Sequence, residues 1–186
     1  MIPINRIAIS TGGGDAPGLN AVIRSTVLAA RNRGWDVVGI RDGFNGLMFP
    51  EEYADGGVIN LSRESVRGIS HLGGTIIGST NRGNPTAFPT QQEDGTWVEV
   101  DRTHELLERF KEAGIDALVT VGGDGSLSIG NHLFQHGLRV VGVPKTIDND
   151  LDKTHVTFGF DTAVDFATEC IDRLFVTATS HGRIIV

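Results

Sequence analysis

Apolar residues follow two alternating rhythms along this chain. Short unbroken runs occur at Arg6-Ile-Ala-Ile-Ser10, Asp36-Val-Val-Gly-Ile40, Asp116-Ala-Leu-Val-Thr-Val121 and Arg139-Val-Val-Gly-Val143. Runs of that length suit strands buried on both faces. Between them, apolar residues recur every three or four positions. Leu19, Val22, Ile23, Thr26, Val27 and Ala30 predict a helix up to Gly34. Leu106, Leu107, Phe110 and Ala113 predict one ending near Gly114. Leu127 to His136, and the series Ala163, Phe166, Ala167, Cys170, Ile171 and Leu174, predict two more. Weaker signals predict a short helix over 62–69, an apolar run over 72–78 and a surface hairpin around Glu93-Asp-Gly95 and Trp97–Val100. Arg183–Val186 reads as the start of another strand. Strand, glycine loop, helix and strand in this order predict an α/β fold, a Rossmann-like parallel sheet flanked by helices.

Composition narrows the possibilities. The chain has 186 residues, 39% hydrophobic, which is enough for one full core and the start of a second unit. Its net charge of −7, with no basic block, argues against nucleic acid or an anionic membrane as the main partner. No apolar run reaches transmembrane length, and MIPINRIAIS lacks a signal-peptide pattern. The single cysteine, Cys170, rules out an intramolecular disulfide and falls at an apolar helical position, so it is expected in the core. A cytoplasmic protein is the natural reading. An apolar strand at the very C-terminus, with no cap or tail, reads as a truncation.

The 25 glycines are clustered. Three glycine- or carboxylate-rich loops follow predicted strands: 11–15, 122–126 and 144–150. In parallel α/β sheets ligands bind beyond the carboxyl ends of the strands. If strands 116–121 and 139–143 are neighbours, Asp124 and Asp148 share one cleft. Gly122-Gly-Asp-Gly-Ser126 suits either a strand-to-helix turn capped by Ser126 or a phosphate loop, with Asp124 holding Mg²⁺. Thr146-Ile-Asp-Asn-Asp150 suits either a solvated Asx turn or a proton acceptor beside a substrate hydroxyl. In an extended segment Asp148 and Asp150 would point the same way and repel. Arg82 and Lys145 stand in loops at strand ends and could neutralise phosphate, as could Arg183. His132 and His136 lack an acidic partner in sequence and read as an exposed helical face.

TGGGDAPGLNAVIR, GGTIIGS, VGGDGS, PKTIDND, GFDTA and SHGR occur in one order from Ile7 to Val186. In this the chain closely resembles the phosphofructokinase family. The resemblance implies a phosphofructokinase-type three-layer sandwich, with residues 1–150 as a donor-binding domain and 151–186 as the start of a substrate domain. It implies a magnesium-dependent kinase acting on the 1-hydroxyl of fructose 6-phosphate, oligomeric at full length. Gly14, Phe44, Arg82, Gly123, Asp124, Gly125 and Ser126 would form the donor site, with Asp124 on the metal. Asp148 would be the general base, beside Arg82 and Lys145. Thr146, Asp150 and Arg183 would contact the sugar phosphate or the transferred group, Arg183 often in a neighbouring subunit's site. Gly125 leaves room for a nucleotide and favours ATP, whereas Lys145 is usual in pyrophosphate enzymes. Gly with Lys also occurs in ATP-dependent members of that branch, so ATP is the expected donor and pyrophosphate the alternative. Missing family segments imply a fragment inactive alone. Rival readings are another GGDG-loop kinase, for NAD or a lipid, and a non-catalytic nucleotide-binding module.

Overall fold

The computed structural model describes residues 3–186. Its elements run β1 (Arg6–Thr11), α1 (Leu19–Asn32), β2 (Asp36–Ile40), α2 (Asn45–Met48), a 3₁₀ turn (Pro50–Glu52), β3 (Val58–Asn60), β4 (Phe88–Gln91), β5 (Trp97–Val100), α3 (Thr103–Glu112), β6 (Ala117–Gly122), α4 (Asp124–Gln135), β7 (Arg139–Thr146), β8 (Phe158–Gly159) and α5 (Phe160–His181). Six strands form one sheet in the order β3-β2-β1-β6-β7-β8, while β4 and β5 form a separate hairpin. Only β3 runs antiparallel within the large sheet, against β2.

Three helices end in the same way, which explains how the chain turns back into the sheet. After α1, Gly34 is left-handed and donates to the Arg31 carbonyl, while Trp35 donates to that of Ala30. Gly114 and Ile115 repeat the pattern after α3, on Lys111 and Phe110. Gly137 and Leu138 repeat it after α4, on Phe134 and Leu133. These are Schellman caps, in which a left-handed glycine satisfies the last carbonyls of the helix. Each one feeds a strand within one or two residues.

Both faces of the sheet are covered. On one, Ile7, Ile9, Val37 and Val121 pack against Leu19, Val22, Ile23, Val27 and Ala30 of α1 and against Leu61, Val66, Ile69 and Ile77. On the other, Ala8, Val38, Ile40 and Leu118 pack against Leu106 and Phe110 of α3, Leu133 of α4 and Leu47 and Met48 of α2. Alternate β1 residues thus face opposite layers, which explains why the strand runs read as continuously apolar. The three-layer α/β expectation holds.

Several boundaries differ from the sequence reading. Residues 62–69 form turns instead of a helix. Ser62 and Ser65 exchange backbone N–H and hydroxyl bonds, and Gly68 is left-handed at φ 75°, so local bonds win over a helical ladder. Strand β7 runs on through Thr146. It pairs with β6 as far as Pro144 and with β8 from Lys145, so Pro144 ends one pairing where the other begins. Helix α4 starts at Asp124, three residues early, so Asp124, Gly125 and Ser126 form its first turn instead of a loop. Residues 183–186 form no strand: left-handed Gly182 ends α5, and no sheet strand pairs with them. Cys170 is half-buried instead of core, because no residue of α5 is buried. Among the described residues, no helix is long and apolar enough to cross a membrane.

Candidate functional site

From β1 the chain moves to β2 on one side, and later from β6 to β7 on the other. The gap between the carboxyl ends of β1 and β6 is therefore the point where strand order reverses. Connections there leave in opposite directions and open a crevice. A cavity of about 530 Å³ occupies this place. It is lined by Gly12–Asp15 after β1, Gly123–Ser126 after β6 and Lys145–Asp148 at the end of β7 and just past it, with Gly43, Phe44 and residues 80–85 closing its side.

The glycines at its floor have different reasons to be there. A Cβ on Gly12 or Gly122 would come within 2.5 Å of the Ser126 hydroxyl, so Ser126 fills the space between the first two loops. A Cβ on Gly14 or Gly125 would meet nothing within 4 Å. The fold does not demand glycine at those two positions, and the space above them belongs to whatever the cavity holds. The first turn of α4 leaves backbone N–H groups without intrahelical partners at the same spot, which suits an anion.

Segment 76–83 has no regular secondary structure but is tightly tied down. The Thr11 hydroxyl donates to the Gly78 carbonyl at 2.7 Å, and Gly13 N–H to the Thr80 carbonyl at 2.9 Å. The Ser79 hydroxyl donates to the Gly13 carbonyl at 2.8 Å. These bonds bring Arg82, itself exposed, to the cavity edge. On the apolar side, Phe44 and Ile129 belong to the core beneath α3 and α4.

Lys145 is 3% exposed, and its Nζ donates to the Gly14 carbonyl, so it links the loop after β1 to β7. Burial pushes its pKa below the ordinary lysine value, and the negative charge of Asp15 partly opposes that shift. Arg82 and Lys145 are the cationic lining, with Asp15, Asp124 and Asp148 as the anionic lining. Among the described residues no three His, Cys, Asp or Glu side chains gather as a metal site. A site with few carboxylates is compatible with Mg²⁺, which commonly takes one or two and completes its shell with phosphates and water, and Asp15, Asp124 and Asp148 are the carboxylates present.

The structure brings together Gly14, Phe44, Arg82, Gly123, Asp124, Gly125, Ser126, Lys145, Thr146 and Asp148. It does not include Asp150 or Arg183. The 147–150 segment is a bend with Asn149 left-handed at φ 52°, so Asp148 and Asp150 do not share one face as they would in a strand. Asn149 Oδ1 accepts the Thr157 N–H at 3.0 Å, which holds this bend. Arg183 lies beyond α5, away from the cavity lining. Asp15, Thr80 and Asn81 also line the cavity without having been given a role, although Asp15 closes the glycine loop 11–15 and Thr80 and Asn81 belong to the polar run Ser79–Gly83 after Gly78. His132 is half-buried and stacks on His136 at 4.4 Å, with His104 edge-on at 6.1 Å, so the exposed-face reading holds for His136 alone.

Fold and cleft define a doubly wound α/β protein with glycine loops converging on its switch point. Residues 6–186 match the sequence model of the family described as Phosphofructokinase, and the chain belongs to that family. It is 47% identical over its whole length to ATP-dependent 6-phosphofructokinase 2 of Clostridium perfringens, of which it covers 50%. It is 43% identical to a pyrophosphate–fructose 6-phosphate 1-phosphotransferase of Streptomyces coelicolor, covering 97% of this chain and 48% of that protein. The structure of phosphofructokinase from Saccharomyces cerevisiae superposes with a TM-score of 0.74 at 30% identity, over 96% of this chain and 25% of that one. The chain thus spans about half the length of the curated relatives it matches.

Proposed function

We propose that this chain is the donor-binding half of an ATP-dependent 6-phosphofructokinase, a cytoplasmic glycolytic enzyme that is oligomeric at full length. The observation that carries this reading is the convergence of three loops, from β1, β6 and β7, on one cavity at the switch point. Residues 1–150 would form the donor domain and 151–186 the start of the substrate domain. The buried apolar core ends at Leu151, which supports that division.

In the proposed reaction the donor phosphates lie over the N-terminal turn of α4 and the loop after β1. Backbone N–H groups, Arg82 and Lys145 balance their charge. Asp124 would hold Mg²⁺, which neutralises phosphate oxygens when bound. Gly123, Gly125 and Ser126 leave the nucleotide room, and Phe44 offers it an apolar surface. The 1-hydroxyl of fructose 6-phosphate attacks the terminal phosphorus, the bond to the bridging oxygen breaks, and ADP leaves. Asp148 accepts the hydroxyl proton. Thr146 and Asp150 would assist at the sugar or transferred group, and Arg183 would serve a neighbouring subunit's site.

Lys145 supports pyrophosphate as the second reading, because it places a buried cation where a compact donor needs one. Calorimetric titration of the chain with Mg-ATP and with Mg-pyrophosphate separates the two. Turnover is tested after fusing residues 1–186 to the second half of the Clostridium relative. Tighter binding and turnover with pyrophosphate than with ATP would reverse the donor assignment. Binding of neither would remove the donor-site reading.

A further inference from the structure

Arg82 itself lies outside any helix or strand, so its placement depends on the groups that hold segment 76–83, of which Thr11 and Gly13 are one set. Asp42 belongs to another. It is one of three non-glycine residues with positive φ among those described, at 46°. That conformation is uncommon outside glycine, asparagine and aspartate. Its N–H donates to the Ile77 carbonyl at 3.1 Å, and its own carbonyl accepts from Asn45 N–H at 3.2 Å. Its carboxylate lies directly against Gly78: a Cβ there would be 2.0 Å from Asp42 Oδ1. The other carboxylate oxygen accepts the Tyr53 hydroxyl at 3.0 Å. Tyr53 follows the 3₁₀ turn at Pro50–Glu52, and neither residue lines the cavity.

One carboxylate therefore joins the loop carrying Phe44, the segment carrying Arg82 and the turn carrying Tyr53. Arg41 reinforces the junction, donating to the Ile76 carbonyl at 3.1 Å and, through two nitrogens, to Asp55 Oδ2. From this we infer that the Tyr53–Asp42 hydrogen bond is a positioning pair, which fixes segment 77–82 so that Arg82 meets the donor phosphates. The inference rests on the reading of Arg82 as a donor contact. The chemistry is suited to a constant restraint. Burial, then the bond to Asp42 and its charge, push the Tyr53 pKa up to about 12, so the hydroxyl stays a donor at any working pH. Without that donor, the carboxylate is free to move off Gly78, and the path to Arg82 loosens four residues downstream.

Calorimetry with Mg-ATP on the 186-residue chain tests this through a double-mutant cycle of Tyr53→Phe and Arg82→Ala. Tyr53→Phe is expected to weaken Mg-ATP roughly fivefold in the unmodified chain and not at all in the Arg82→Ala background. Asp42→Asn keeps the shape, an acceptor oxygen and tolerance of positive φ, and should bind as the parent does, whereas Asp42→Ala should match Tyr53→Phe. Tyr53 is the chain's single tyrosine, so 3-fluorotyrosine labelling yields one ¹⁹F line. Mg-ATP should move that line in the parent but not in Arg82→Ala. Equal losses from Tyr53→Phe in both backgrounds, or no loss in the parent, overturn the positioning role while leaving the donor site standing. If Arg82→Ala binds like the parent, or the parent binds no Mg-ATP, the donor reading fails first and the pair has nothing to position.

Discussion

Gly125→Asp separates what the fold requires from what the ligand requires. Gly125 is in the first turn of α4, and a Cβ there would meet no atom within 4 Å. It is absent from the glycines with positive φ, so a side chain brings no backbone strain. Glycine inside a helix costs about 1 kcal/mol relative to alanine, and aspartate recovers roughly a third to a half of that. A carboxylate near a helix N-terminus adds about 0.3–1 kcal/mol, offset in part by repulsion from Asp124 next to it. The sum is between zero and a gain of about 1 kcal/mol, a rise of at most about 4 °C in a chain of this size. Binding responds in the opposite direction. A carboxylate about 4 Å from a phosphate charge, near a protein surface, is opposed by about 4 kcal/mol per charge pair. Mg-ATP affinity should therefore fall at least a hundredfold while the melting temperature stays or rises. Thermal unfolding followed by circular dichroism and titration calorimetry read the two effects on one sample. Unchanged Mg-ATP affinity in a folded Gly125→Asp chain would refute the placement of donor phosphates above this turn. A large drop in melting temperature would refute the claim that the position is sterically free.

Other expectations follow from particular contacts. Lys145 has its pKa lowered by burial, so between its folded value and the ordinary 10.5 the unfolded chain binds the extra proton, and stability rises with pH across that window. Lys145→Met should abolish that rise in urea melts taken through the alkaline range; a rise that persists would place its origin elsewhere. Asp116 accepts the N–H groups of Asn5 and Arg6, which hold its carboxyl below the usual range, the Arg6 bond contributing most. Its contribution is present above the ordinary carboxylate pKa and lost as pH falls through the folded value. Asp116→Ala should cost about 1 kcal/mol at neutral pH and narrow the acid sensitivity of the melting temperature. Gly46→Ala should be severe, since its Cβ would come 2.0 Å from the Gly57 carbonyl oxygen. The chain should lose several kcal/mol of stability or fail to fold, seen in expression and circular dichroism. In the fused full-length enzyme, Asp148→Ser should remove turnover and spare Mg-ATP binding; surviving turnover would transfer the proton acceptor's role to another group.

Much of the framework was legible because it depends on local pattern. Four strand runs, the helix ends at Gly34 and near Gly114, and the alternation of strand with helix are properties of neighbours a few residues apart. The glycine loops were visible for the same reason, whereas the shared cleft of Asp124 and Asp148 was conditional on their strands being neighbours, which the β6–β7 pairing supplies. Failures came where a distant group decides. The strand period did not reveal that Lys145 continues β7, because that depends on β8 offering a second edge after Pro144. The run Ser62–Ile69 has helical spacing, yet side-chain hydroxyls and a left-handed glycine take its hydrogen bonds.

The sequence by itself determined the α/β class, the family motifs and which residues are the candidates for the chemistry. Tertiary structure alone decided which glycines are obligatory. Gly122 is required because a Cβ there would meet the Ser126 Cβ at 2.4 Å, Gly12 is crowded by the Ser126 hydroxyl, and Gly14 and Gly125 face open volume. It alone parted Asp148 from Asp150, through a bend at Asn149 that is held by Thr157. It alone showed Asp42 joining Tyr53 to the Ile77–Gly78 backbone four residues before Arg82, since that arrangement depends on residues from three segments meeting at one side chain. Periodicity reports the face on which a residue lies; only packing reports what stands opposite it.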